Sequence, residues 1–241
     1  MRAIVLLPLL LAPLSALAAE PVDVMLVLVT DVSRSVDDSE FTLEKQGYRT
    51  ALADPQVLAA IHGGAVGQIA VAYVEFAGAS EVRTVVDWHL IRDADTAKSF
   101  TDAVTAAPRS YWGRTSISAG VDHAMAMLSE GGYEAQRRVI DVAGDGTNNS
   151  GREVTAARDD AVGAGVTVNG LAIINDHPVS YTFAHVQPEG GLTKWYADNV
   201  TGGPGSFVVE VHSFAAFGEA MTRKLINEIA DAAPATRHAA R

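Results

Sequence analysis

Apolar positions along this chain follow two rhythms, and the alternation between them outlines the elements. Val24-Met25-Leu26-Val27-Leu28-Val29 is an unbroken apolar run, the mark of a strand covered on both faces near the middle of a sheet. Gln68–Phe76, Arg138–Ala143 and Val166–Ile174 carry similar runs, and Ser206–Val211 is a shorter last one. Glu81–Trp88, with Val82, Val85 and Val86, follows a Gly-Ala-Ser turn so closely that it predicts an antiparallel edge hairpin with the strand before it.

Between these runs the spacing becomes helical. Asp37 and Glu40 have the acid-x-x-acid spacing of a helix start, and Phe41, Tyr48 and Leu52 mark its inner face. Asp54-Pro55 opens a second short helix through Ile61. Further helices follow over Asp95–Ala107 (Ala97, Phe100, Val104), from Ile117 to Leu128, and over Glu153–Val162. Ser213 is expected to cap a closing helix with Phe214, Phe217, Met221, Leu225 and Ile229 inward. Asn175–Gly205 is the least regular stretch, with one short amphipathic piece carrying Leu192, Trp195 and Tyr196. Strands alternating with helices across short links predict an α/β fold: a three-layer, Rossmann-like, doubly wound sheet, mostly parallel with one antiparallel edge strand.

In open α/β sheets, ligands sit beyond the carboxyl ends of the central strands. The first strand runs directly into Asp31-Val32-Ser33-Arg34-Ser35. Two later loops at the same edge carry Thr115, in Gly113-Arg114-Thr115, and Asp145, in Gly144-Asp145-Gly146. Together these five side chains offer three hydroxyls and two carboxylates. Such a set suits a hard divalent cation, which takes oxygen ligands and retains water readily. Taken alone, the Asp31 segment is equally consistent with a helix cap whose serines satisfy loop amides.

These residues, in this order, resemble the von Willebrand factor A (vWA) domain with a metal-ion-dependent adhesion site (MIDAS): D-x-S-x-S after the first strand, a threonine ahead of a large helix, and an aspartate in a D-G turn after the fourth strand. The resemblance covers nearly all of the chain beyond its first eighteen residues, and the style is that of an uncharacterised exported bacterial group within that superfamily. It departs at Gly144, where relatives often carry serine or threonine. It implies Mg²⁺ or Mn²⁺, in preference to Ca²⁺, at Asp31, Ser33, Ser35, Thr115 and Asp145. It also implies capture of a carboxylate from a protein or small-molecule partner, and coupling of that capture to movement of the closing helix. Tyr111, Trp112, Asn148 and Asn149 are candidates for the ligand rim.

Composition narrows the alternatives. Residues 1–18 read as a secretory signal peptide, with Arg2, the apolar run Ile4–Leu14 and a small-x-small site at Ala16-Leu17-Ala18. A single domain over residues 19–231 and a frayed tail over 232–241 are expected, in an exported protein, periplasmic or secreted. The formal charge of −11, or −12 once Arg2 is removed with the leader, argues against nucleic acid as a partner. Cysteine is absent, which removes disulfides, thiolate zinc sites and cysteine catalysis. The seven histidines show no metal-binding spacing. A G-x-S-x-G elbow, a G-x-G-x-x-G loop and a second aspartate two residues after Asp31 are all missing. The expectation is a binding module rather than an enzyme, with a scaffold lacking a working metal site and a metal-dependent hydrolase as the alternatives.

Overall fold

A computed structural model describes residues 19–174 and 188–230. The expected leader, the tail over 232–241 and most of the first half of the irregular stretch lie outside the described residues. The order is β1 (Glu20–Asp31), α1 (Asp38–Leu52), α2 (Pro55–His62), β2 (Ile69–Phe76), β3 (Val82–Ile91), α3 (Ala94–Ala106), α4 (Ile117–Glu130), β4 (Tyr133–Gly144), α5 (Val154–Gly163), β5 (Thr167–Ile173), α6 (Leu192–Asn199), β6 (Val208–Val211), a 3₁₀ turn (Phe214–Ala216) and α7 (Phe217–Ala230).

The six strands form one sheet in the order β3-β2-β1-β4-β5-β6. Only β3 runs antiparallel, at the edge, paired with β2. β1 is buried from Val22 to Asp31 because it is flanked by β2 and β4 and covered on both faces. One apolar layer joins the sheet to α1, α2, α3 and α7 through Tyr48, Leu52, Phe100, Phe217 and Leu225. The other joins it to α4, α5 and α6 through Val121, Ala157 and Tyr196.

β4 begins five residues earlier than its apolar run because Tyr133, Glu134 and Ala135 pair with Glu20, Pro21 and Val22. This end of the strand is half exposed, so its side chains alternate and the apolar signal is lost. Asp37 caps α1 in a reciprocal capping box with Glu40, as the spacing predicts. Ser213 does not cap the closing helix through its side chain: it precedes the 3₁₀ turn and makes no such bond. The chain turns in one direction from β1 to β2 and in the other to β4, so the gap above β1 and β4 is a topological switch point.

Candidate metal centre

Three loops meet above that switch point. Thr115 Oγ1 donates to Ser33 Oγ at 3.1 Å, Ser33 Oγ lies 3.1 Å from Ser35 Oγ, and Ser35 Oγ donates to Asp145 Oδ1 at 2.8 Å. Asp31, at the end of β1, accepts the Ser33 N–H on Oδ1 at 2.7 Å. Its Oδ2 is buried and has no hydrogen-bond partner. The chain thus brings the five predicted residues, from segments more than a hundred positions apart, into one oxygen-lined cluster. Asp31, Ser33, Thr115 and Asp145 are all buried.

The spacing of these oxygens bears on what they can hold. Adjacent ligands of an octahedral Mg²⁺, each about 2.0–2.1 Å from the ion, lie about 3 Å from one another. The two hydroxyl–hydroxyl separations, both 3.1 Å, match such an edge. Among the described residues no group of three or more His, Asp or Glu side chains could hold a metal ion. The donor set here is of another kind, two carboxylates with three neutral hydroxyls. The orphaned, buried Asp31 Oδ2 and the all-oxygen lining fit a hard divalent cation.

Electrostatics point the same way. Burial, followed by the Asp145 charge, pushes the Asp31 carboxyl up to about 8. Beneath it on α1, Glu44 is fully buried with neither carboxylate oxygen hydrogen-bonded. Its carboxyl is raised well above the usual range by burial first, then by the charges of Asp31, Asp145 and Glu75. Without an added cation, burial favours the protonated forms of Asp31 and Glu44.

Arg109 is the residue that motif reading missed. Its guanidinium donates to the Val32, Ser33 and Val36 carbonyls at 2.7, 2.6 and 2.7 Å and, through Nε, to Tyr111 O at 2.9 Å. It therefore pins the whole Asp31–Val36 loop to the segment leading to Thr115. In sequence it reads as one more polar loop residue, and only its place after Pro108, where α3 has ended, hints that it turns inward.

The predicted rim residues divide. Asn149 Oδ1 accepts the Thr115 N–H at 3.0 Å, and Asn148 Oδ1 accepts the Ser118 N–H at 3.1 Å. Both amides bind the β4–α5 loop to the start of α4 and hold Thr115 in place. Tyr111 packs against the core, whereas Trp112 is 58% exposed and stacks on Arg109, whose Cζ is 5.1 Å from the indole centroid. Tyr196 fills the place that a side chain at position 144 would need: a Cβ on Gly144 would lie 2.8 Å from the Tyr196 hydroxyl. The departure from serine or threonine at 144 thus has a steric cause inside this chain.

A mostly parallel sheet, one antiparallel edge strand and helices on both faces define a vWA-type fold, and structural comparison agrees. A mussel byssus protein, proximal thread matrix protein 1 with a zinc-occupied MIDAS motif, superposes with a TM-score of 0.60 at 19% identity over 88% of this chain and 49% of its own. The pilus adhesin SpaC of Lactobacillus rhamnosus GG gives 0.59 at 17% over 88% and 30%, and a von Willebrand factor type A protein of Catenulispora acidiphila gives 0.57 at 14% over 89% and 43%. This chain spans about half of those proteins or less. At the sequence level, residues 21–233 match the family described as "Protein of unknown function (DUF1194)", and the chain belongs to that family. Comparison with curated protein sequences gave no significant match.

Proposed function

We propose that the protein is an exported binding module that uses a divalent cation, Mg²⁺ or Mn²⁺, to capture a carboxylate from a protein or small-molecule partner. Ser33, Ser35 and Thr115 offer their hydroxyls to the ion directly, while Asp31 and Asp145 act through water or through hydrogen bonds to those hydroxyls. The ion supplies Lewis acidity: with neutral oxygens as its nearest ligands it stays electron-poor and attracts an anionic ligand. The observation that carries the reading is the hydroxyl chain Thr115–Ser33–Ser35 closed by Asp145, beside a buried Asp31 oxygen to which no protein group donates. The zinc-occupied motif in a neighbour of the same fold supports a divalent ion at this place.

The chain's own residues prepare the site. Arg109 holds the loop carbonyls, Asn149 fixes the Thr115 backbone, and exposed Trp112 offers a flat contact beside the cluster. Among the described residues no helix is long and apolar enough to cross a membrane. Isothermal titration with Mg²⁺, Mn²⁺ and Ca²⁺ tests the reading on the parent and on Asp31→Ala. Saturable binding of Mg²⁺ or Mn²⁺ in the parent alone is expected, and identical isotherms would leave a scaffold without a metal site. Metal-dependent turnover of a phosphate or ester, abolished by Asp31→Ala, would instead make the protein a hydrolase.

A further inference from the structure

Tyr196 lies across three strands. A Cβ placed on Gly170 of β5 would come within 2.8 Å of its Cδ1, and one on Gly144 of β4 within 2.8 Å of its hydroxyl. The ring therefore runs over two strands kept bare beneath it and ends beside β1, because the same point on Gly144 is 3.2 Å from Asp31 Oδ2. Tyr196 is fully buried. Its hydroxyl and Asp31 Oδ2 are both without hydrogen-bond partners. One is a phenol donor and the other a carboxyl oxygen able to accept, both beside the bare Gly144 Cα.

A ring buried only for packing has no use for a hydroxyl. A buried unsatisfied hydroxyl costs stability, and phenylalanine would fill the same space without that cost. We infer that Tyr196 is a positioning residue for Asp31: its phenol donates to Oδ2 through one water seated between the two oxygens, beside the bare Gly144 Cα. This rests on the metal reading for its consequence and on the apo geometry for its existence. Partners in this second layer orient the groups around a metal, and removing one typically weakens binding about 10–100-fold. The link also ties the seating of α6 on β5 to the state of the site.

Two measurements on Tyr196→Phe, which keeps the ring, test this. In EDTA, melting temperatures of the parent, Tyr196→Phe, Asp31→Ala and the double variant form a cycle. Tyr196→Phe should lower the melting point by about 2–4 °C in the parent and not at all once Asp31 is gone. Equal shifts in both backgrounds, or no shift in the parent, overturn the link. In Mn²⁺ titrations Tyr196→Phe should bind about ten-fold more weakly than the parent, and equal affinity also overturns it. A parent that takes up no Mn²⁺ sinks the metal reading itself, and the EDTA cycle then decides the Tyr196–Asp31 link alone.

Discussion

Two buried acidic clusters sit on neighbouring strands of the same sheet, and the chain treats them differently. Between the sheet and α7, Asp141 of β4 and Glu228 of α7 share the ammonium of Lys224, at 2.8 and 2.5 Å, and Asn169 Nδ2 donates to Glu228 at 2.7 Å. All four residues are buried, and the cation comes from the protein. At the upper edge, Asp31 is equally buried, yet among the described residues no lysine, arginine or histidine forms an ion pair with it. The nearby guanidinium of Arg109 spends its hydrogen bonds on loop carbonyls. An internal cation stabilises but cannot be exchanged. Where the acids face three hydroxyls at the switch point, the arrangement suits a cation from solution that can in turn hold a partner.

Removing the internal cation tests this contrast most severely. Lys224→Met leaves Asp141 and Glu228 buried without a counter-charge and should cost about 3–5 kcal/mol at pH 8 by urea unfolding. Asp31→Asn should do the opposite in EDTA, stabilising the fold by about 1 kcal/mol or more at pH 8 while abolishing its response to Mn²⁺. Destabilisation of similar size by both would erase the difference between the clusters.

The pH dependence sharpens the second case. Asp31 titrates near 8 when folded against an ordinary 3.8. Below about pH 4 both states are protonated and the group is neutral to stability; as pH rises from there to 8 the unfolded chain releases a proton that the folded one retains, so stability falls. Metal-free parent should therefore lose stability relative to Asp31→Asn between pH 5 and pH 8. Mn²⁺, which needs the carboxylate, should stabilise the parent more at pH 8 than at pH 5. Part of the slope persists in the variant, since burial raises Glu44 and Asp141 as well.

Smaller effects follow outward from the site. Arg109→Met, which frees four loop carbonyls, should weaken Mn²⁺ binding about ten-fold by titration. Trp112→Ala should leave Mn²⁺ affinity unchanged and alter unfolding free energy by no more than about 0.5 kcal/mol, since the ring is mostly in solvent.

What the sequence revealed and what it hid follow from the reach of each signal. The apolar run of β1, the hairpin into β3 and the inner face of α7 are local patterns, and Phe217, Met221 and Leu225 are buried as their spacing predicts. Asp31, Ser33, Ser35 and Asp145 were legible because sheet topology brings the ends of β1 and β4 together, whereas Thr115, in the loop between α3 and α4, was legible through the resemblance to the vWA motif. Lys224 was not, because a lysine between Met221 and Leu225 reads as a surface position until Asp141 is placed opposite it. Tyr196 was assigned to a short amphipathic piece, and its hydroxyl gained meaning only through two glycines on strands far from it in sequence. Arg109 likewise serves carbonyls more than seventy residues away, which no local pattern records.

The most direct measurement is anomalous diffraction from crystals of the protein soaked in Mn²⁺. The account predicts one strong peak within about 2.0–2.3 Å of the Ser33, Ser35 and Thr115 hydroxyls, lost in Asp31→Ala. No peak there at saturating Mn²⁺, or a peak that survives Asp31→Ala unchanged, would contradict it.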